Sequence, residues 1–230
     1  RDRLKGEHIK QVHRRAKYLL FETTHGTLIL HLGMSGSLRV TDINEPAAKH
    51  DHVDFLLSNN RLLRFNDPRR FGSLHWSQSA PDKHRLLKHL GPEPLGGEFT
   101  AQYLYSRSRQ RKTAIKNLIM NSRIVVGVGN IYASEALYLA GIHPARAASA
   151  ISLARYEKLV AAIRQVLLAA IDAGGSTLSD FTQPDGNPGY FQHHFRVYGK
   201  TGQACEQCGH PVSQLTIGQR STFYCKKCQH

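Results

Sequence analysis

Acidic residues are scarce in this sequence. Only 17 Asp and Glu stand against 31 Lys and Arg, which leaves a net charge of +14. A folded chain suffers self-repulsion from such an imbalance, and a polyanion relieves it, so nucleic acid is the first partner to consider. A membrane surface fits less well, because no amphipathic basic anchor stands out. Long apolar runs are missing too: none approaches a membrane span and no signal-peptide core appears, which argues against a helical membrane protein. The hydrophobic fraction of 40% is ordinary for a globular chain and excludes wholesale disorder. Internal repeats and low-complexity runs are absent. So is an initiating Met. The chain opens Arg1-Asp-Arg-Leu-Lys-Gly, which does not read as the start of a natural domain.

Cysteine is equally sparse, with four in 230 residues, but all four fall in one pattern. Cys205-Glu-Gln-Cys208 is followed after sixteen residues by Cys225-Lys-Lys-Cys228. Each C-x-x-C places two thiolates on one tight turn, and a hairpin that joins two such turns makes a tetrahedral cage suited to Zn²⁺. Two disulfides or a redox pair are the alternatives. A chain this long needs no disulfide staples, and a redox motif uses one pair. Four thiolates close the metal's coordination, so the ion is expected to be structural. Metal-bound thiolates suit a reducing cytoplasm, the expected location.

The first ninety residues read as strands: Ala16–Glu22, Thr27–Leu32, Ser37–Val40, Val53–Ser58, Leu62–Phe65 and Ser73–Trp76. Turn residues separate them, among them His25-Gly26 and Asn59-Asn60, and the spacing predicts an antiparallel sandwich or barrel. Leu90-Gly-Pro-Glu-Pro-Leu-Gly-Gly97 reads as a linker. Beyond it the period becomes helical. Thr100 is placed to cap a helix to about Arg109, and further helices are predicted over Thr113–Asn121, Asn130–Ala140 and Leu153–Ala173. Along the last, Tyr156, Leu159, Val160, Ile163, Val166, Leu167 and Ile171 share one face, a core stripe that Gly174-Gly175 terminate. Ser176–Tyr190 is polar and Gly/Pro-rich and reads as a loop. From Phe195 onward strands are expected around the cysteine turns.

One further stretch bears on chemistry. Ile124-Val-Val-Gly-Val-Gly-Asn-Ile-Tyr132 lies between two predicted helices, with Asn130 expected at the next helix's N-cap. Amides at such a turn and helix start form a phosphate site, though an ordinary helix–turn–helix connection has the same appearance. The charge and Lys116, one helix upstream, favour phosphate.

Gly127-Val-Gly-Asn-Ile-Tyr-Ala-Ser-Glu135, read with the four-Cys ribbon, resembles the helix–two-turn–helix and zinc finger of the bacterial formamidopyrimidine-DNA glycosylases. Arg14-Arg-Ala-Lys-Tyr-Leu19, His31-Leu-Gly-Met-Ser-Gly36 and Asp67-Pro-Arg-Arg-Phe-Gly72 agree with it in order, so the resemblance runs along essentially the whole chain. It implies a bifunctional base-excision repair enzyme, glycosylase and AP lyase, for 8-oxoguanine and formamidopyrimidines. It implies a two-domain α+β fold: an N-terminal antiparallel β-sandwich over 1–92, a helical domain over 93–203 and a zinc ribbon over 204–230. Loop 176–190 would cover the everted base.

The resemblance also implies roles. Lys17 matches the lysine of the catalytic pocket, which contacts the lesion's phosphate and assists elimination. Met34, Arg69 and Phe71 match the triad that fills the gap left by base flipping, the apolar groups restoring stacking and the guanidinium pairing with the orphan cytosine. Lys116 and Asn130 match phosphate-binding positions. Arg220 matches the finger-tip arginine that grips the phosphates flanking the lesion, and His50 and Arg111 match backbone contacts. Cys205, Cys208, Cys225 and Cys228 hold one structural Zn²⁺. The partner is double-stranded DNA with an oxidised base or abasic site, bound by a monomer in the bacterial cytoplasm, at the nucleoid.

The family's nucleophile, an N-terminal proline amine followed by a glutamate, has no counterpart here. Roughly forty residues of the usual N-terminal region are expected to be absent, with a strand and a helix among them, so the chain as it stands is expected to be inactive in cleavage. Competing readings are an endonuclease VIII-like enzyme for oxidised pyrimidines, a non-catalytic zinc-ribbon DNA-binding protein, and a generic structural or RNA-binding zinc protein. The Asp67–Gly72 motif favours the purine enzyme.

Overall fold

A computed structural model describes residues 2–175 and 195–230. These fall into two compact units, one running to Lys88 together with 173–175, the other comprising His89–Asp172 and 195–230. The expected loop over 176–190 lies outside the described residues. No described helix is long and apolar enough to cross a membrane.

The first unit carries strands β1 (Gln11–Arg15), β2 (Tyr18–Glu22), β3 (Thr27–His31), β4 (Ser37–Asp42), β5 (Asp51–Leu56), β6 (Arg61–Asn66) and β7 (Ser73–Ser77). They form two antiparallel sheets, in the orders β1-β2-β3-β7 and β4-β6-β5. Phe21, Leu28 and Leu30 of the first sheet pack with Leu38, Phe55 and Leu63 of the second, as a sandwich requires. Turn chemistry sets the registers. Asn60 takes φ 58° between β5 and β6. A Cβ on Gly26, in the β2–β3 turn, would lie 2.5 Å from the Ser77 carbonyl oxygen, so only glycine fits there.

One strand departs from expectation. The stretch Ala16–Glu22 does not run straight, because Ala16 turns with φ 55° and Lys17 begins the return to β2. The preceding Gln11–Arg15 forms edge strand β1, which the sequence hides because its one aliphatic residue, Val12, points to solvent.

Two arginine–carboxylate pairs brace the second sheet. Arg64, nearly fully buried, bonds Asp54 at 2.7 and 2.9 Å, and Arg39 bonds Asp51 at 3.1 and 2.8 Å. Burial resists the charge on Asp51. Hydrogen bonds from Arg39, Asn66 and the Ala48 amide outweigh it and hold the carboxyl at about 2.

The second unit carries α1 (Ala101–Ser108), α2 (Ile115–Ile119), α3 (Asn130–Leu139), α4 (Leu153–Asp172) and a hairpin of β8 (Ser213–Ile217) and β9 (Arg220–Tyr224). Thr100 caps α1, its hydroxyl accepting from the Tyr103 amide at 3.0 Å. Helix α4 buries Tyr156, Leu159, Val160, Ile163, Val166 and Leu167 against α1 and α3. Ile171 does not continue the stripe: it is 62% exposed, and Ala170 takes the buried position as the helix runs out toward Gly174 and Gly175, both at positive φ. The Pro/Gly-rich stretch at 90–97 is not a loose tether. The Arg164 guanidinium donates to the carbonyls of Pro94, Gly96 and Phe99 at 2.9–3.2 Å, and the Gly91 amide donates to Ser122. The expected run of strands from Phe195 reduces to β8 and β9, with turns on either side.

Candidate nucleic-acid interface and metal centre

The two C-x-x-C turns meet beside the hairpin. The four sulfurs lie within 4.8 Å of one another, with Cys205–Cys228 at 3.9 Å and Cys208–Cys225 at 3.5 Å. Four thiolates around Zn²⁺ at about 2.3 Å sit roughly 3.8 Å apart, so the residues fit one structural zinc ion. The two knuckles are alike: amides of Gln207 and Cys208 hydrogen-bond the Cys205 sulfur, and amides of Lys227 and Cys228 the Cys225 sulfur. Such donors favour thiolate and metal alike. A further donor comes from α3, where the Tyr138 hydroxyl lies 3.2 Å from the Cys205 sulfur. Burial and the neighbouring sulfurs push the Tyr138 phenol well above its ordinary range, keeping it a donor.

The ribbon docks on α3 through a small core. Tyr138, Val197, Cys205, Val212, Phe223 and Cys225 are buried together, flanked by Leu139 and Tyr198. Gln229 closes one side, accepting from the Cys225 amide and donating to the Ile142 carbonyl at 2.8 and 2.9 Å. Glu135 closes another. Its carboxylate accepts from the amides of Arg196, Val197 and Tyr198 at 2.8–3.0 Å, tying the strip that leads into the ribbon to α3.

At the hairpin tip, Gly218 and Gln219 both take positive φ, 56° and 60°, the two-residue turn that a twisted hairpin favours. A Cβ on Gly218 would sit 2.8 Å from the Asn117 carboxamide, so the tip rests on α2. Arg220, the first residue of β9, is exposed. Directly beneath it, Lys116 is fully buried, its ammonium donating to the Ser221 carbonyl at 3.1 Å and the Thr222 hydroxyl at 2.6 Å. Asn130 donates to the same Ser221 carbonyl at 3.1 Å. Burial, then the Arg220 charge, lowers the Lys116 ammonium to about 8. Three of the expected phosphate-binding residues, Lys116, Asn130 and Arg220, therefore converge on one turn of β9. Asn130 is not the cap of α3 as expected; Gly129 is, and Asn130 is the first helical residue, where its side chain is free to reach β9. Arg111 is exposed just after α1, its carbonyl accepting from the Ser149 amide.

In the first unit, Met34 and Phe71 are each 62% exposed, although neither would be read as a surface residue by type. Their loops are pressed together: a Cβ on Gly33 would lie 2.7 Å from the Gly72 amide nitrogen. The Arg69 guanidinium donates to the Ser35 hydroxyl at 3.4 Å, and the Asp67 carboxylate accepts from Gly72 at 2.7 Å, shaping the second loop. Met34, Arg69 and Phe71 thus form one exposed cluster. His50, at φ 74°, accepts from the Asp67 amide through its carbonyl at the base of that loop. Lys17 is exposed in the β1–β2 turn, near His31, whose imidazole is pushed down by burial and then by the Lys17 charge.

Sequence reasoning missed Glu135, Tyr138 and Thr222. A signal was present for the first two. Residues 133–138 of α3 are buried without interruption, so an acid and a phenol there must have partners. Thr222 carries no such mark.

Comparison with known proteins agrees with this anatomy. The formamidopyrimidine-DNA glycosylase N-terminal domain model matches residues 1–74, the family's H2TH domain model 90–182, and the zinc finger found in FPG and IleRS 202–230. The formamidopyrimidine-DNA glycosylase of Syntrophotalea carbinolica is 60% identical over 95% of this chain and 80% of its own length. That of Alteromonas mediterranea is 58% identical over 99% of this chain and 84% of its own. Among solved structures, the MutM (Fpg) protein of Thermus thermophilus superposes with a TM-score of 0.87 at 39% identity, covering 97% of this chain and 84% of that one. Lactococcus lactis Fpg bound to abasic-site DNA superposes at 0.90 and 33%, covering 100% and 84%. The chain belongs to the formamidopyrimidine-DNA glycosylase family.

Proposed function

We propose that this chain carries the DNA-recognition part of base-excision repair of oxidised purines by a DNA glycosylase with AP-lyase activity, and that it engages damaged double-stranded DNA in the bacterial cytoplasm. The observation that carries this reading is the exposed Arg220 on a hairpin braced from below by Lys116 and Asn130. Charge-assisted donors at a rigid tip suit phosphate, and the net charge of +14 suits a polyanion. The solved relatives include complexes with abasic-site DNA and with Fapy-dG DNA, which supports the same substrate class here.

In this reading each cluster has its own task. Met34 and Phe71 replace the stacking lost when the damaged nucleotide leaves the helix, and Arg69 hydrogen-bonds the base left opposite. Lys17 meets the lesion's phosphate in the catalytic pocket. His50 and Arg111 add backbone contacts. The domains follow the boundaries 1–92, 93–203 and 204–230, and one monomer suffices for one lesion. Zinc, closed by four thiolates, supplies structure and leaves the reacting atoms alone.

Fluorescence anisotropy with a duplex carrying an abasic-site analogue opposite C, beside the undamaged duplex, tests the reading. The damaged duplex should bind at least tenfold more tightly, with affinity falling steeply as salt rises. Equal affinity for the two duplexes would refute damage recognition.

A further inference from the structure

Lys116 is an unusual lysine for a DNA-binding surface, because no part of it reaches that surface. A buried ammonium is costly unless its donors are satisfied, and here two of them are taken by the chain itself. Both acceptors, the Ser221 carbonyl and the Thr222 hydroxyl, lie on β9 immediately after Arg220. The Thr222 hydroxyl in turn donates to the Arg220 carbonyl at 3.1 Å, so ammonium, hydroxyl and arginine backbone form one chain of hydrogen bonds. Asn130 adds a second grip on Ser221 from α3, and Asn117 walls the turn at Gly218. The tip is thereby fixed in position from two helices.

We infer that Lys116 is a positioning residue: it aims Arg220 by holding β9 through Ser221 and Thr222, and does not itself grip phosphate. This rests on the reading of Arg220 as a phosphate contact. A lysine that gripped phosphate would need to leave both acceptors and expose its ammonium.

The two roles differ in salt dependence and additivity. Each phosphate contact contributes about 0.9 to the slope of log affinity against log salt on duplex DNA. Arg220→Ala should lower the slope on the abasic-analogue duplex by about that amount; an unchanged slope would sink the underlying reading of Arg220, whatever Lys116 does. Given that drop, Lys116→Met should match it, and the Lys116→Met/Arg220→Ala double variant should bind like Arg220→Ala alone, within about twofold. Additive losses, with the slope falling by about 1.8 in the double variant, would place Lys116 on phosphate and overturn the proposal. Thr222→Val removes an acceptor and leaves every charge in place. It should still lower the slope, while Thr222→Ser, which keeps the hydroxyl, should restore it. A Thr222→Val protein that binds as wild type would equally overturn the proposal. Zinc content and melting temperature are read on each variant, and if Lys116→Met loses zinc the Thr222 pair decides alone.

Discussion

Removing the Glu135 carboxylate is the sharpest perturbation of the ribbon's seat on α3. The side chain is 2% exposed and accepts three backbone amides, those of Arg196, Val197 and Tyr198. In Glu135→Ala the Val197 amide, on a residue with no exposed surface, is left without a partner at a cost of about 1–3 kcal/mol. The other two amides are partly exposed and recover much of their loss from water, adding about 0.5 kcal/mol each. Burial works against the carboxylate, pushing Glu135 upward despite the three amides, which trims the total. The net loss is about 2–3 kcal/mol, a fall of roughly 4–12 °C in melting temperature for a chain of this size. Glu135→Gln keeps a carbonyl oxygen for Val197 and Tyr198 but turns an NH₂ toward Arg196, so its cost should be about 1 kcal/mol. Calorimetry of the zinc-loaded protein gives the melting shift, and hydrogen exchange at Val197 reports the local bond. Glu135→Ala melting within about 2 °C of wild type, with Val197 protection intact, would refute the anchor, because the orphaned amide alone costs more than that.

Other outcomes follow from the same contacts. Met34→Ala and Phe71→Ala should each change stability by less than about 0.5 kcal/mol, because both side chains are exposed, yet weaken binding to the abasic-analogue duplex; urea melts beside anisotropy separate the effects. Arg69→Ala should relax discrimination of the base opposite the lesion, by about 1–3 kcal/mol between C and A in competition binding. Asp51 has a folded pKa of about 2, below its unfolded value, so its stabilisation is full above about pH 4 and is lost as pH falls through the folded value. Asp51→Asn should remove that part of the acid transition, seen as a shallower loss of melting temperature between about pH 4 and pH 2.

Much of this was legible in the sequence, for physical reasons that differ by element. The four cysteines announce themselves because metal geometry demands a fixed local spacing, and the Thr100 cap because capping is a short-range bond. Strands β3 to β7 are read within two residues from apolar runs bounded by Asn and Gly turns. Edge strand β1 is not, since an edge exposes its side chains and shows no apolar pattern. The contacts that aim Arg220 were hidden for another reason. Lys116 meets Thr222 across 106 positions, and one acceptor is a backbone carbonyl, which any residue type could supply. Ile171 shows the reverse error, since helical period alone cannot say where the packing partner ends.

The central claim is that a zinc-held hairpin presents Arg220 to the backbone of damaged DNA. Its most direct test is affinity for the abasic-analogue duplex over a salt series, before and after the zinc is removed with a chelator and then restored. Removal should weaken binding at least tenfold and lower the salt slope by about 0.9, with both recovered on adding zinc. Unchanged affinity and slope in the metal-free protein would contradict the account.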